Sequence, residues 1–214
     1  MATAAFEIKE VFSAGWEGFK KNWVLLLGLL LISFFASIIV NVVFSSFLPQ
    51  LVVAVLGFAV SVYIMLSNMK AVVAIINGET PGFDVLKNDL NLYLKFLAAS
   101  IILMIIFMIS SILFIIPVFL ALAIFFPVQY MLVDKKDMPI MDVFKRSWKI
   151  TTSQFLPCLL FILAAIVIAI IAAIVFVLPL LIAIPVIYIA GAAAYKKLDA
   201  AAGGDAQSTP SMIS

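Results

Sequence analysis

Two pairs of carboxylates are the residues of this sequence best suited to chemistry. Asp134 lies three residues before Asp137, and Glu79 lies five residues before Asp84. Two carboxylates at such a spacing could serve as a general acid and a general base. Both pairs lie among lysines in short polar connections, where solvated side chains are the usual arrangement. We therefore expect neither pair to be catalytic.

Other residues common in active sites are missing. The chain has no histidine, and its single cysteine, Cys158, lies in an apolar run. Histidine is the commonest general base and metal ligand, and a buried lone cysteine is usually a small apolar side chain. Glycine-rich phosphate loops and the Gly-x-Ser-x-Gly elbow are also absent. The sequence predicts a protein that is not an enzyme, with no catalytic residue, no metal and no cofactor.

The composition indicates a membrane protein. Hydrophobic residues make up 66% of the 214 residues and charged residues 11%, whereas soluble domains have roughly 25% charged residues. So few polar groups cannot cover a surface that faces water. The net charge of +2 gives no reason to expect nucleic acid as a partner.

Six apolar runs are long enough to cross a bilayer, since a spanning helix needs roughly 20 apolar residues. They cover residues 23–44, 51–69, 96–115, 117–133, 155–178 and 180–195. The predicted fold is all-α: a polytopic membrane helix bundle of six transmembrane helices arranged as three hairpins.

The basic residues predict the orientation of these spans. All 13 lie in the N-terminal segment, in the two long connections or after the last span. The other connections, at 45–50, around Pro117 and around Pro179, carry no charge. Because lysine and arginine favour cytoplasmic loops, we expect both termini in the cytoplasm.

The long connections share a pattern that indicates an internal repeat. Residues 81–87 read Pro-Gly-Phe-Asp-Val-Leu-Lys, residues 139–145 read Pro-Ile-Met-Asp-Val-Phe-Lys, and residues 10–12 are a shorter match. The sequence thus predicts one membrane domain over residues 1–199, with a threefold repeat near 6–69, 81–133 and 139–195. Residues 200–214 read as a disordered tail.

Each repeat begins with an amphipathic segment, which predicts a cytoplasmic interfacial helix before each hairpin. In the first segment Ile8, Phe12, Trp16, Phe19 and Trp23 fall on one helical face. Such helices could bind anionic lipid or could simply set the tilt of the spans, and tilt-setting is the simpler interpretation. The predicted headgroup or interface contacts are Trp16, Lys20, Lys21, Lys87, Lys145, Arg146, Trp148 and Lys149.

Small residues predict where the spans pack, because they let helix backbones approach closely. The predicted helix-packing residues are Gly57, Ser61, Ala165, Ala169, Ala173, Ala190 and Ala194. The same faces could form a homo-oligomer. Pro127, Pro157 and Pro185 can kink their spans. The spans contain no ionisable residue at depth, and their polar residues are Ser33, Ser37, Asn41, Ser61, Ser67, Asn68, Ser100, Ser110, Ser111 and Gln129.

One stretch resembles a known group of proteins. Ile-Pro at 116–117 opens a span, Met-Leu-Val-Asp at 131–134 ends it, and residues 143–151 read Val-Phe-Lys-Arg-Ser-Trp-Lys-Ile-Thr. This resembles bacterial six-span inner-membrane families of unknown function, related to the membrane domain that accompanies glycerophosphodiester phosphodiesterases. Val118 stands where members often have glycine. The resemblance implies the bacterial inner membrane and transfers no catalytic residue.

Two functions from different classes fit these features. The first is a non-enzymatic membrane protein that organises lipid, including anionic phospholipid, or a partner membrane protein. The second is a transporter or channel for a small apolar or amphipathic solute, which the prolines in the spans favour. A lipid-modifying enzyme is the weakest alternative, because histidine and buried carboxylates are missing.

Overall fold

The computed structural model describes residues 5–113, 115–175 and 177–203. The α-helices are α1 (Ile8–Ile38), α2 (Gln50–Ile76), α3 (Leu90–Leu113), α4 (Ile115–Phe125), α5 (Pro127–Asp134), α6 (Ile140–Ser153), α7 (Phe155–Val175) and α8 (Val177–Ala201). Six helical segments are long and apolar enough to cross a membrane, α4 and α5 together forming one of them. The chain is an all-α, multi-pass membrane helix bundle, as predicted.

Prolines lie near the first described residues of two helices that return across the bundle. Pro117 lies within α4 and Pro179 within α8, rather than in turns before these helices. Proline is tolerated near the start of a helix, where its missing N–H would have no intrahelical partner. Both prolines therefore mark the start of a crossing.

A kink divides α1 into two parts. Asn22 leaves the helical conformation (φ −125°, ψ 21°), and its side-chain amide donates a hydrogen bond of 3.1 Å to the carbonyl of Gly18. The charged residues of α1 precede the kink. The part of α1 after the kink, from Trp23, is uncharged and continues through a π-helical turn at Ile39–Val43 and a 3-10 turn at Phe44–Ser46.

The first part of α1 packs against α8 through a face that hydropathy does not reveal. Val11, Gly15 and Gly18 are buried. Of the predicted apolar face, Phe19 is buried as well, whereas Trp16 and Trp23 are about half exposed. A Cβ at Gly15 would lie 2.6 Å from the carbonyl oxygen of Val186 in α8. The absence of a side chain therefore lets the two backbones approach closely.

The three predicted interfacial segments differ in structure. The first is the start of α1, and the third is α6, an α-helix of 14 residues. In the middle segment only Phe83–Leu86 is helical, and it forms a single 3-10 turn instead of an α-helix. Tyr63 holds this turn against α2 through a hydrogen bond of 2.6 Å to the carbonyl of Leu86.

Helix α6 covers a break in the fourth crossing. Pro127 cannot donate a backbone hydrogen bond, and the crossing is interrupted at Phe126. The carbonyl of Ile124, close to the break, accepts hydrogen bonds from Ser147 at 2.7 Å and from Thr151 at 3.1 Å. Both hydroxyls are on the buried face of α6, so this helix is hydrogen-bonded to the backbone of the fourth crossing beside the break.

The predicted packing residues are buried to different extents. Ala190 and Ala194 in α8 and Ala165 in α7 are buried, while Ala169 and Gly57 are partly exposed and Ala173 and Ser61 are exposed. In α7 the buried position is Ala172 rather than Ala173. A helix has 3.6 residues per turn, so a run of strict steps of four drifts off the contact face.

The last helix is longer than the predicted span. It continues past Tyr195 to Ala201 and therefore includes the first two residues of the predicted tail. Residues 204–214 of that prediction lie outside the described residues. The extension brings Lys196, Lys197 and Asp199 into the packed end of the bundle.

Candidate functional site

The charged side chains gather at one end of the bundle, which we call the charged end. There the end of α5 meets the end of α8. The Tyr195 hydroxyl donates a hydrogen bond of 2.8 Å to Oδ2 of Asp134, and Nζ of Lys196 lies 2.6 Å from Oδ1 of the same carboxylate. Both oxygens of Asp134 thus have a partner.

A second carboxylate ties three segments together. Asp199 in α8 is only 1% exposed. Its Oδ2 lies 2.7 Å from Nζ of Lys135, directly after α5, and its Oδ1 accepts a hydrogen bond of 2.7 Å from Nε of Arg146 in α6. A further ion pair joins Lys197 to Glu10 in α1.

These ion pairs are structural because their charges are mutually compensated. Removing a charge from a buried pair leaves its partner uncompensated, which is strongly destabilising. Asp134 therefore takes part in a compensated pair rather than in the solvated loop that the sequence suggests. The network anchors α8 to α1, α5 and α6.

Two tyrosines pack beside this network. The rings of Tyr130 and Tyr195 stack with centroids 6.4 Å apart. Gly191 makes room for them, since a Cβ there would lie 3.0 Å from Cζ of Tyr130. Residues 191–194 of α8, a buried glycine followed by three alanines, thus leave room for the two tyrosine rings beside the ion pairs.

Four lysines that have no carboxylate partner within the described ranges line one pocket on the charged end, the lysine pocket. Its volume is about 880 Å³, and it lies between the end of α2 and the start of α3, beside the α5–α6 connection. Its charged lining residues are Lys70, Lys87, Lys95, Lys136, Asp89 and Asp137. The basic residues that do form ion pairs are elsewhere: Lys20, Lys135, Lys145, Arg146, Lys196 and Lys197.

Two of the four lysines shape the pocket. Nζ of Lys70 donates to the carbonyl of Lys87 at 2.7 Å and to the carbonyl of Val85 at 3.1 Å. Nζ of Lys95 donates to the carbonyl of Lys136 at 2.7 Å. These bonds fix the chain on both sides of the pocket.

The other two lysines are available to a ligand. The ammonium groups of Lys87 and Lys136 have no hydrogen-bond or ion-pair partner within the described residues. Of the two aspartates, Asp89 is occupied, because its Oδ2 accepts a hydrogen bond of 3.1 Å from the N–H of Leu92. The free groups of the pocket are therefore mainly cationic.

The pocket also borders the start of α3. Asn91 and Leu92, in its first turn, line the pocket. The N–H of Leu92 is already paired with the Asp89 carboxylate, so this N–H is not available to a ligand. The two free ammonium groups, of Lys87 and Lys136, can bind a phosphate or a carboxylate. No group of three or more carboxylate or cysteine residues that could hold a metal is found within the described ranges.

The predicted headgroup residues are dispersed instead of forming one collar. Of the set, only Lys87 lines the lysine pocket. Lys20 pairs with Glu17, Lys145 faces Asp142 at 3.7 Å, and Arg146 pairs with Asp199. The remaining members lie exposed on the surface: Lys21, Lys149, Trp16 and Trp148.

The sequence does not single out Lys70, Lys95 and Lys136 as pocket residues or Asp199 as a buried charge. The one feature that the three lysines share in the sequence is that each lies within or beside a span. Which lysines have a carboxylate partner and which have none can be seen only in the folded structure.

Comparison of the chain with protein-family models, with curated proteins and with solved structures gives no match.

Proposed function

We propose that this multi-pass membrane protein is not an enzyme and that it binds anionic phospholipid at the lysine pocket, thereby organising lipid or a partner membrane protein around it. The observation that carries the proposal is the convergence of four lysines without carboxylate partners on one pocket. We further propose that it resides in the bacterial inner membrane with both termini in the cytoplasm, which the one-sided distribution of basic residues supports.

The pocket suits a lipid better than a free anion because it adjoins an apolar surface. Leu94 lines the pocket, and Ile101, Ile105 and Met108 continue from it along the exposed face of α3. A headgroup phosphate in the pocket would leave the acyl chains to run along this face. Each nearby lysine contributes on the order of 1 kcal/mol to the attraction of anionic lipid.

The test compares two double variants that remove the same charge. Lys87→Gln with Lys136→Gln removes the free ammonium groups of the pocket and breaks no hydrogen bond within the described residues. Lys21→Gln with Lys149→Gln removes two exposed lysines outside it. Native mass spectrometry of delipidated protein would then measure the binding of added phosphatidylglycerol and, separately, phosphatidylcholine.

We expect the pocket variant to bind phosphatidylglycerol on the order of tenfold more weakly, since 1.4 kcal/mol corresponds to a factor of ten. The control variant should bind it as the wild type does. Equal losses in the two variants, or equal binding of the two lipids, would contradict the proposal. Inorganic phosphate that displaces the lipid at equal concentration would identify a soluble anion as the ligand instead.

The second candidate is a transporter or channel for a small apolar or amphipathic solute. The break of the fourth crossing at Pro127 favours it, because interrupted helices often accompany transport sites. Solute flux into proteoliposomes that falls in a Pro127→Ala variant would support this function. Flux equal to that of protein-free vesicles would count against it.

A further inference from the structure

A second cavity, of about 470 Å³, lies within the spanning part of the bundle between α1, α2 and α8. We call it the span groove. It is lined from Leu30 in α1 to Asn41 in the following π-helical turn, and along α2 from Val53 to Asn68, which at about 1.5 Å per residue is roughly 16–22 Å. Ser37 and Ser61 line the groove and are exposed. The groove is therefore long, narrow and open sideways to the bilayer.

The lining is polar but uncharged. No Asp, Glu, Lys or Arg is among its described residues, although several hydroxyl and amide side chains are. A charged headgroup or a fatty-acid carboxylate in such surroundings would be left without a counter-ion, at a high cost in free energy. The groove therefore selects for a neutral molecule.

Three hydroxyls of the groove have no hydrogen-bond partner within the described residues. They belong to Ser37, Ser61 and Tyr188, and they differ from Ser33, whose hydroxyl donates to the carbonyl of Leu29 at 2.8 Å. A hydroxyl in an apolar environment gains stability from a partner. These three groups can donate to a ligand that carries acceptors.

Two of these hydroxyls lie at similar depth, near the middle of the membrane. Ser61 lies nine residues before Lys70 in α2, and Tyr188 lies eight residues before Lys196 in α8. Because both lysines are at the charged end, Ser61 and Tyr188 lie roughly 12–14 Å from that end, close to the middle of a hydrocarbon layer of about 30 Å. Phospholipid headgroups lie at the surface of the bilayer, far from this level.

The backbone is irregular where the groove reaches the uncharged end. The π-helical turn Ile39–Val43 includes two lining residues, Val40 and Asn41. The turn follows directly on α1 and precedes a 3-10 turn at Phe44–Ser46, so the first crossing is no longer α-helical where it lines this end of the groove.

We propose that the span groove binds a neutral lipid of the quinone class, a ring with carbonyl acceptors on an apolar tail. The ring carbonyls would accept hydrogen bonds from Ser61 and Tyr188, and the tail would occupy the aliphatic length of the groove. Such a molecule is uncharged, dissolves in the bilayer interior and can enter through the open side. The proposal concerns binding alone and does not depend on the lysine pocket.

The test measures binding of decylubiquinone to the full-length protein in lipid nanodiscs, with decylbenzene as a probe that has the tail but no carbonyl. Ser61→Ala with Tyr188→Phe removes two hydroxyls and little volume. Ser111→Ala is the matched control, because that hydroxyl lies on α3 and already donates to the carbonyl of Met108 at 2.8 Å. Ser61→Leu, at an exposed position, would fill part of the groove.

We expect the wild type and the Ser111→Ala variant to bind decylubiquinone, and the double variant to bind it roughly tenfold more weakly, as the loss of two hydrogen bonds implies. Ser61→Leu should abolish binding while the melting temperature stays unchanged. Equal affinity for decylbenzene, or unaltered binding in both Ser61 variants, would overturn the proposal. A stable dimer that excludes the probe would overturn it too, since a second copy would then fill the groove.

Discussion

Lys196 and Asp134 form an ion pair of 2.6 Å in which the two side chains are only 5% and 13% exposed. The pair joins the end of α8 to the end of α5. Its surroundings are nearly closed to solvent, so each charge depends on the other for compensation. Removing either charge alone should therefore destabilise the bundle.

Asp134→Asn is expected to lower the free energy of unfolding by roughly 3–5 kcal/mol, because it leaves the ammonium of Lys196 buried without a counter-charge. The measurement is thermal unfolding of the purified protein in a mild detergent. Combining the change with Lys196→Met should restore much of the lost stability, since the uncompensated charge is then removed. A melting temperature that the single variant leaves unaltered would show that the pair is not structural.

Neighbouring residues 145 and 146 are expected to respond differently to the same change. Arg146→Gln removes a partner of the buried Asp199 and should cost roughly 1–3 kcal/mol, as the loss of a charged hydrogen bond does. Lys145→Gln should have no measurable effect, because its contact with Asp142 is 3.7 Å long and solvent-exposed. The same thermal unfolding assay distinguishes the two. Equal melting temperatures for both variants would contradict the structure at α6.

Much of the fold follows from the sequence because the bilayer imposes a simple pattern. Uncharged runs of sufficient length must be helical and must span, so the six crossings and the start of the first at Trp23 could be predicted. The packing face of α1 could not be predicted, because Gly15 and Gly18 are not apolar enough to mark a buried face. They allow close packing because they have no side chain. The middle interfacial segment resembled the third in sequence, yet its contact with Tyr63 and Lys70 holds it as a 3-10 turn.

The candidate site was less predictable than the fold. A lysine count locates the charged end, but it does not say which lysines have a partner. The sequence indicates a headgroup contact for Arg146, because its partner Asp199 lies 53 residues away along the chain. Lys136 looked like one of many loop lysines, and only the folded chain brings it beside Lys70 and Lys87.

Gly15→Ala is expected to destabilise the protein by roughly 1–3 kcal/mol, as overpacking of a tight interface does. The added methyl would meet the backbone of α8 at Val186, which cannot move aside as a flexible side chain can. Gly57→Ala is the control, because its Cβ would be at an ordinary distance of 3.4 Å from Val40. We expect that variant to be as stable as the wild type in thermal unfolding. Tolerance of alanine at position 15 would refute the close packing of α1 on α8.

The proposed orientation can be tested with a membrane-impermeant thiol reagent. The only native thiol, Cys158, is fully buried, so the wild type should remain unlabelled. Phe47→Cys places a thiol at the uncharged end, where Phe47 is 82% exposed, and Lys149→Cys places one on the exposed side of α6.

In intact spheroplasts we expect labelling at position 47 alone, and in inverted vesicles at position 149 alone, because basic residues are retained in the cytoplasm. The reverse pattern would place the lysine pocket on the outer leaflet. It would also remove the argument for cytoplasmic termini, while leaving the geometry of the span groove unaffected. Labelling of both positions from one side would contradict the crossings between them.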